Sequence, residues 1–416
     1  MPRYHIWTIG CQMNKAESER LGSFFEQQGY EIAATADEAD IVVLNSCVVR
    51  QSAENRVINK LHALRALKRQ RPEFTLAVTG CWVDSNIDQL KNEFTHVDHF
   101  FGPGERPSWL EESDWGHLTP ASVGPTAYVP IIQGCDNFCS YCIVPYRRGR
   151  EKSRSIDDIM CEVRERVRRG TREVTLLGQN VDSYGHDLPD RPDLADLLAG
   201  LNAIDGLARL RFLTNHPKDM SQRLITAIAS LDKACEQLSL PVQSGNNEIL
   251  KAMRRGYTVE DYRRLVEEIR RQVPGVALST DVIVGFPSET ESQFQETYDL
   301  LAELKFDTVH VAAYSPRLGT AAARELEDNI PAVEKKQRLD KVEQLQEGIA
   351  TEINAKLLGK TVEVLVEGRK GGKWQGRTRS DKLVFFKDKE NRRGQLLPIR
   401  VEWTGPWSLQ GRLNME

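Results

Sequence analysis

No run of about 18 apolar residues occurs in this 416-residue chain, so nothing in it reads as a membrane-crossing helix. The opening residues 1–11 hold too short an apolar stretch for a secretory leader. An excess of one charge is also lacking. Lys and Arg number 56 against 60 Asp and Glu, a net of −4. The chain as a whole is therefore no polyanion binder, and any nucleic-acid surface must be local. With neither leader nor span, the expected location is the cytoplasm, where thiols stay reduced. At roughly 150 residues per domain the length allows two or three domains, each with its own core.

Reducing conditions make the cysteines the feature to explain. They are Cys11, Cys47, Cys81, Cys135, Cys139, Cys142, Cys161 and Cys235. Clustered cysteines in such a compartment more often ligate metal or do chemistry than form disulfides.

Three of them end a repeated pattern. Apolar runs at 4–9, 41–44 and 75–79 lead to Gly10–Cys11, Asn45–Ser46–Cys47 and Gly80–Cys81. Short runs rich in β-branched residues read as buried strands. Helical patterns at 16–27 and 53–69 lie between them. Alternation of this kind predicts βαβ units and a parallel sheet, a Rossmann-like α/β domain. The three cysteines then share one sheet edge, just past strand C-termini, where open α/β sheets build their sites.

A stretch bearing Gly, Pro and Trp from Gly102 to Pro125 reads as a linker. Strands are predicted again at 127–132, 173–177, 207–213, 237–240, 277–284 and 308–313, with helices between. About six such βα units predict an incomplete TIM-like barrel. Ser155 with Asp158, and Ser288 with Glu291, read as capping boxes opening two of its helices. Pro331 opens a long helix whose apolar face is Leu339, Val342, Leu345, Ile349, Ile353 and Leu357. Beyond Gly359, short alternating strands at 361–367, 382–386 and 397–403 predict a small OB-like β-barrel. The expected domains are 1–118, 119–355 and 356–416.

The densest motif runs Gly134-Cys135-Asp136-Asn137-Phe138-Cys139-Ser140-Tyr141-Cys142, with C-x3-C-x2-C spacing. A structural zinc site wants four ligands; here no fourth ligand lies nearby, and no histidine comes after the motif at finger spacing. A cubane iron–sulfur cluster on three thiolates instead leaves one iron open to a ligand. Cys11, Cys47 and Cys81 suggest a second three-thiolate site. Any one of them alone reads as a small buried residue; the repetition carries the argument. Cys161, in a helix, and Cys235, before a strand, read as structural.

Two polar loops come after strands: Gly178-Gln179-Asn180 and Gln243-Ser244-Gly245. They read either as holders of a cofactor's amino, carboxylate or ribose groups or as capped turns. Arg147, Arg148 and Arg150 beside the motif are candidates to grip cofactor or RNA backbone. In the last 60 or so residues, bases outnumber acids about two to one, and Trp374 interrupts one basic run. Single-stranded RNA is held by such charges and by stacking on aromatics. The plain alternative is a solvated face.

These motifs resemble the radical-SAM methylthiotransferases over nearly the full length. The resemblance rests on Gly10-Cys11-Gln12-Met13-Asn14 with Glu17-Ser18-Glu19, on Asn45-Ser46-Cys47 and on Thr79-Gly80-Cys81. It continues through Cys135–Arg150, Leu177-Gly178-Gln179-Asn180-Val181, residues 240–245 and Val284-Gly285-Phe286-Pro287. The terminal barrel resembles a TRAM domain. The resemblance implies S-adenosylmethionine and two [4Fe–4S] clusters. Cys135, Cys139 and Cys142 would hold the cluster that cleaves S-adenosylmethionine to a 5′-deoxyadenosyl radical. Cys11, Cys47 and Cys81 would hold the cluster that presents sulfur. It further implies an enzyme acting on the tRNA anticodon loop, with an electron donor such as a flavodoxin or ferredoxin; a monomer is expected. An aromatic C–H at adenine carbon 2 has no acidic proton and no leaving group, so cofactor-borne radical chemistry fits.

Three branches of the family compete. Gln12-Met13 and Val48-Val49-Arg50 resemble the branch converting N6-isopentenyladenosine at tRNA position 37 to its 2-methylthio form. The threonylcarbamoyladenosine branch usually carries Lys-Val at the first pair, and the branch acting on a ribosomal-protein aspartate Pro-Lys. A metal-stabilised RNA-binding protein without catalysis is the alternative from another class. The sulfur source is not legible.

Overall fold

The structure is a computed structural model that describes residues 1–47, 51–83, 87–110 and 124–414. The expected boundary at 118/119 and the residues Val48, Val49 and Arg50 lie outside the described residues. Among the described residues, no helix is long and apolar enough to cross a membrane.

The N-terminal domain is a five-stranded parallel sheet. In chain order it runs β1 (Arg3–Ile9), α1 (Gln12–Gln27), β2 (Glu31–Ile32), β3 (Ile41–Ser46), α2 (Gln51–Gln70), β4 (Thr75–Gly80), α3 (Ile87–Glu93) and β5 (His99–Phe100). The spatial order is β2-β1-β3-β4-β5. Every residue of β3 is buried, as a central parallel strand requires. The register sets Ile9 opposite Ser46 and Ser46 opposite Gly80, so three strands end level and their cysteines emerge side by side. Helix α1 begins one turn before its hydrophobic pattern, because Cys11 takes the extended N-cap conformation.

The central domain opens with β6 (Thr126–Pro130), β7 (Ile132–Gln133), α4 (Val144–Arg148), β8 (Lys152–Ser153) and α5 (Ile156–Arg168). It continues through β9 (Glu173–Leu177), α6 (Leu194–Asn202), β10 (Arg209–Phe212), α7 (Gln222–Ser230), β11 (Gln237–Ser239), α8 (Asn247–Ala252) and α9 (Val259–Gln272). It ends with β12 (Ala277–Val284), α10 (Glu291–Leu304), β13 (Thr308–Ala313), α11 (Ala321–Glu325) and α12 (Ala332–Ala355). Two three-stranded parallel sheets, β10-β9-β6 and β11-β12-β13, meet through a single parallel bridge, Leu210 to Ala234. The result is a six-stranded incomplete barrel, as the βα count predicts.

Two sequence expectations need correcting here. Ser155 does cap α5, but α10 is capped by Thr290 with Gln293, not by Ser288. Ser288 sits at φ 64 in the turn before the helix, a conformation no N-cap adopts. The long helix α12 is also less apolar on its inner face than its leucines suggest. Leu339, Leu345 and Ile353 are only half-buried, whereas Lys335, Arg338, Gln346 and Asn354 are buried. The helix crosses strand ends and loops, so polar side chains meet exposed carbonyls. Gln346 donates to the carbonyls of Phe306 and Asp307, and Asn354 to those of Gly405 and Pro406.

The last domain is a closed five-stranded barrel of β14 (Thr361–Lys370), β15 (Lys373–Arg377), β16 (Leu383–Phe386), β17 (Leu396–Thr404) and β18 (Leu409–Leu413), in the order β14-β15-β16-β18-β17. Strands β15 and β18 lack the alternating pattern and escape the sequence reading. Trp374 is a core residue of this barrel, packed under the Arg369 guanidinium, so it is no stacking platform. The exposed tryptophans of this barrel are Trp403 and Trp407. The basic residues divide into two groups. Arg379 and Lys382 pair with Glu236 and Asp307 of the central domain, whereas Lys370, Lys387, Lys389, Arg393 and Arg400 face solvent. Arg209 and Arg211 of β10 reach back into this barrel. Arg209 donates to the carbonyls of Arg377 and Glu363, and Arg211 to those of Thr378 and Arg379.

Candidate active site

The C-x3-C-x2-C loop lies at the C-terminal edge of the central barrel, and three βα loops hold it there. Gln179, after β9, accepts a hydrogen bond from Gly134 N at 2.6 Å. Asp219, after β10, accepts from both Asn137 and Asn180. From the segment after β11, the carbonyls of Ala252 and Met253 accept from Ser140. Arg255, buried, donates one N–H to Cys139 Sγ at 3.2 Å and another to the carbonyl of Pro241. Burial pushes the Cys135 thiol up to about 11 and the Cys142 thiol up to about 12, with the neighbouring sulfur of Cys139 adding to both.

Cys11, Cys47 and Cys81 cluster at the matching edge of the N-terminal sheet. Asn14 on α1 organises them. Its Oδ1 accepts from Cys11 N at 3.3 Å, and its Nδ2 donates to Asn45 Oδ1 and to the Ser46 carbonyl. Glycine is needed at Gly10 and Gly80. A Cβ on Gly10 would stand 2.8 Å from the Cβ of Cys47, and one on Gly80 2.6 Å from Ser46 N; both residues have positive φ. Burial pushes the Cys81 thiol up to about 12, against the pull of the Arg148 cation. Arg148 comes from α4, beside the other cysteine set, and donates to Cys81 Sγ at 3.0 Å. The two edges therefore face each other across one buried side chain.

Each donor set fits an iron–sulfur cluster. All candidate ligands are soft sulfurs and each set has three; Cys47, Cys81 and Cys139 are buried, Cys135 and Cys142 partly so and Cys11 exposed, and an arginine N–H reaches one sulfur of each set. The raised thiol values also fit. Such sulfurs become thiolates when metal supplies the compensating charge. Among the described residues, no three His, Cys, Asp or Glu side chains converge closely enough to hold a single metal ion.

The remaining candidates lie at the same edge, mostly as scaffold. Gly178 is buried against Ile132, and Gln179 holds the cysteine loop. Asn180 donates to Ser183 and Asp219. Ser244 pairs with Thr297, and the Gly245 amide donates to the same hydroxyl. The short helix after this loop is capped by Asn246. Gln243 is strained at φ 72 and bridges to Val282. Of the three arginines, Arg148 joins the cysteine sets, while Arg150 pairs with Asp136 over Phe138. Cys161 is exposed and Cys235 buried beside Arg211.

Sequence reasoning missed Arg255, Asp182 and His216. Asp182 is buried, accepts from Asn215 Nδ2 and His216 N, and burial pushes its carboxyl up to about 7. The His216 imidazole is pushed down to about 2 by burial and the nearby Arg255 cation. None of the three stands in a spacing that signals a role. A cavity of about 480 Å³ opens inside the barrel, walled by Ser239, Asp281 and His310, and reached by Gln12 from the N-terminal domain and Trp407 from the last. All three domains meet there.

Comparison with known proteins agrees with this architecture. Residues 3–102 match "Uncharacterized protein family UPF0004", 129–301 the radical SAM superfamily and 355–413 the TRAM domain. A protein of Dehalococcoides mccartyi named tRNA-2-methylthio-N(6)-dimethylallyladenosine synthase is 56% identical over 99% of both chains. One of the same name from Chloroflexus aurantiacus is 48% identical, covering 98% of this chain and 91% of its own. Among solved structures, the radical S-adenosylmethionine methyltransferase TsrM of Kitasatospora setae aligns over 90% of this chain and 81% of its own. Its TM-score is 0.56 at 15% identity, a likeness of fold. With every domain matched in order and near-full-length identity above one half, this chain belongs to the radical-SAM methylthiotransferases.

Proposed function

We propose that this protein is a tRNA methylthiotransferase that converts N6-dimethylallyl (isopentenyl) adenosine at position 37 to its 2-methylthio form. The observation that carries the reading is the pair of three-cysteine edges facing each other through Arg148. Near-full-length identity to relatives named for that reaction supports the substrate. Cys135, Cys139 and Cys142 would hold one [4Fe–4S] cluster with S-adenosylmethionine, and Cys11, Cys47 and Cys81 a second. When bound, these groups supply the one-electron chemistry that replaces an unactivated C–H bond by C–S.

The chain's own residues provide place and shelter. Gln179, Asn180 and Asp219 fix the cysteine loop at the C-terminal edge of the barrel. Gly178, Gln179, Asn180, Gln243 and Ser244, in loops at the same edge, would back the bound S-adenosylmethionine. The cavity between Gln12 and His310 would admit a splayed base. Its walls are formed largely before substrate arrives, which favours a fixed geometry at the reacting carbon. The exposed cations of the last barrel would hold the anticodon arm's phosphates. The division into 1–118, 119–355 and 356–416 matches these three tasks. A one-electron donor such as a flavodoxin or ferredoxin, a monomeric state and a cytoplasmic location complete the reading.

The test is anaerobic reconstitution and then incubation with S-adenosylmethionine, a reductant and tRNA bearing the dimethylallyl group. Nucleoside mass spectrometry should show the 2-methylthio product. Product on threonylcarbamoyl tRNA or on a ribosomal protein, and none here, would overturn the substrate assignment.

A further inference from the structure

We propose that Arg148 sets the reduction potential of the cluster on Cys11, Cys47 and Cys81, with Glu17 opposing it. The inference rests on the reading of those cysteines as cluster ligands.

The geometry is specific. Arg148 projects from α4 of the central domain into the N-terminal domain. Its Nη1 and Nη2 donate to the two carboxylate oxygens of Glu17 at 2.5 and 3.2 Å. That fork already anchors the guanidinium. Its Nε remains, and it donates to Cys81 Sγ at 3.0 Å. The Arg148 side chain is 2% exposed and that of Glu17 12%, so salt screens this trio little. Docking two domains needs only the ion pair. The third donor, aimed at a sulfur, is what calls for a role.

The chemistry gives that role a sign. When a cluster gains one electron, its net charge becomes one unit more negative. A cation and an N–H donor on a ligand sulfur favour that reduced state, so they raise the potential. Glu17 acts oppositely, but from one group farther away. Arg147 and Arg317 lie within electrostatic reach of Cys81 and Cys47 and add a constant background. The other cysteine set repeats the device with Arg255 on Cys139, so in each set an arginine N–H reaches one sulfur.

The experiment uses the full chain with Cys135, Cys139 and Cys142 all changed to Ala, so that only the N-terminal cysteines can hold iron. After anaerobic reconstitution, iron and sulfide are counted. The midpoint is then read by electron paramagnetic resonance during a titration with dithionite. Arg148→Gln should lower the midpoint by about a tenfold change in the reduction equilibrium, about 59 mV for one electron. Glu17→Gln should raise it. Opposite shifts at unchanged iron content are the expected result, because a loosened fold would move both variants the same way. An unmoved midpoint in Arg148→Gln, or shifts of one sign, overturns the inference and leaves the ligand reading standing. Absence of any cluster while Cys11, Cys47 and Cys81 are intact overturns both. Should Arg148→Gln fail to hold iron, Glu17→Gln and Arg148→Lys decide. The first must lie above the parent and the second at or below it; any other order overturns the inference.

Discussion

Glu173 is the counter-charge at the seam between the central domain and the last barrel, and replacing it by Gln should open that seam. Its carboxylate lies 3.0 Å from Arg211 Nε and 3.7 Å from Arg209 Nη1, with all three side chains buried. A second carboxylate paired with Arg209, that of Glu363, is half exposed. Removing one partner of a buried ion pair costs about 3–5 kcal/mol, because the charge left behind has no compensation. The lower end applies here. Both guanidinium groups keep backbone carbonyls as acceptors, Arg377 and Glu363 for one, Thr378 and Arg379 for the other. We therefore expect a loss of about 3 kcal/mol, felt locally, since a chain of this size need not unfold in one step. Hydrogen exchange at 373–386 should accelerate by about two powers of ten, with little change in β1–β5. Exchange within a factor of about three of the parent would refute the reasoning.

Three further outcomes are expected from the same structure. The folded-state value of Asp182 is raised from 3.8 to about 7, so its contribution is fully present below about pH 4 and is lost as pH rises to about 7. A shift of about three units amounts to about 4 kcal/mol. Asp182→Asn should abolish that fall, read as the difference between parent and variant in urea denaturation at about pH 5 and about pH 8; equal pH dependence contradicts it. His216 works in the other direction, losing stability as pH falls below 6.5, and cancels in the comparison because both proteins carry it. Asn14→Ala removes the link from Cys11 to Asn45 and Ser46, and should cost about half the iron while cofactor cleavage persists; full iron content would show the link to be dispensable. Changing Lys387, Lys389 and Arg393 to Gln should lower the slope of log affinity for tRNA against log salt by about 2; an unchanged slope would mean that tRNA is held elsewhere.

The sheet edge and the cysteine loop are legible in the sequence because both are local. A β-branched run leading to Cys, repeated after each helix, marks the end of the strand and the cysteine just beyond it. The C-x3-C-x2-C spacing closes within one loop. The features that escape are long-range. Arg148 and Cys81 are 67 positions apart, and Arg255 and Cys139 are 116 apart, so no spacing rule connects them. The polar inner face of α12 escapes because burial there is decided by carbonyls at strand ends, not by leucines. Trp374 misleads because a buried tryptophan under an arginine leaves the same sequence pattern as an exposed one between bases. Strands β15 and β18 carry glycine where alternation would be read, and the barrel's closure supplies their pairing instead.

The central claim is a division of labour between two cysteine sets. It is tested most directly by counting iron, 5′-deoxyadenosine and methylthio product in one experiment with Cys81→Ala and Cys139→Ala. The account predicts that Cys81→Ala keeps about half the iron, still cleaves S-adenosylmethionine and makes no methylthio nucleoside. Cys139→Ala should also keep about half the iron but yield neither product. Methylthio nucleoside at the parent's level from Cys81→Ala would contradict the account.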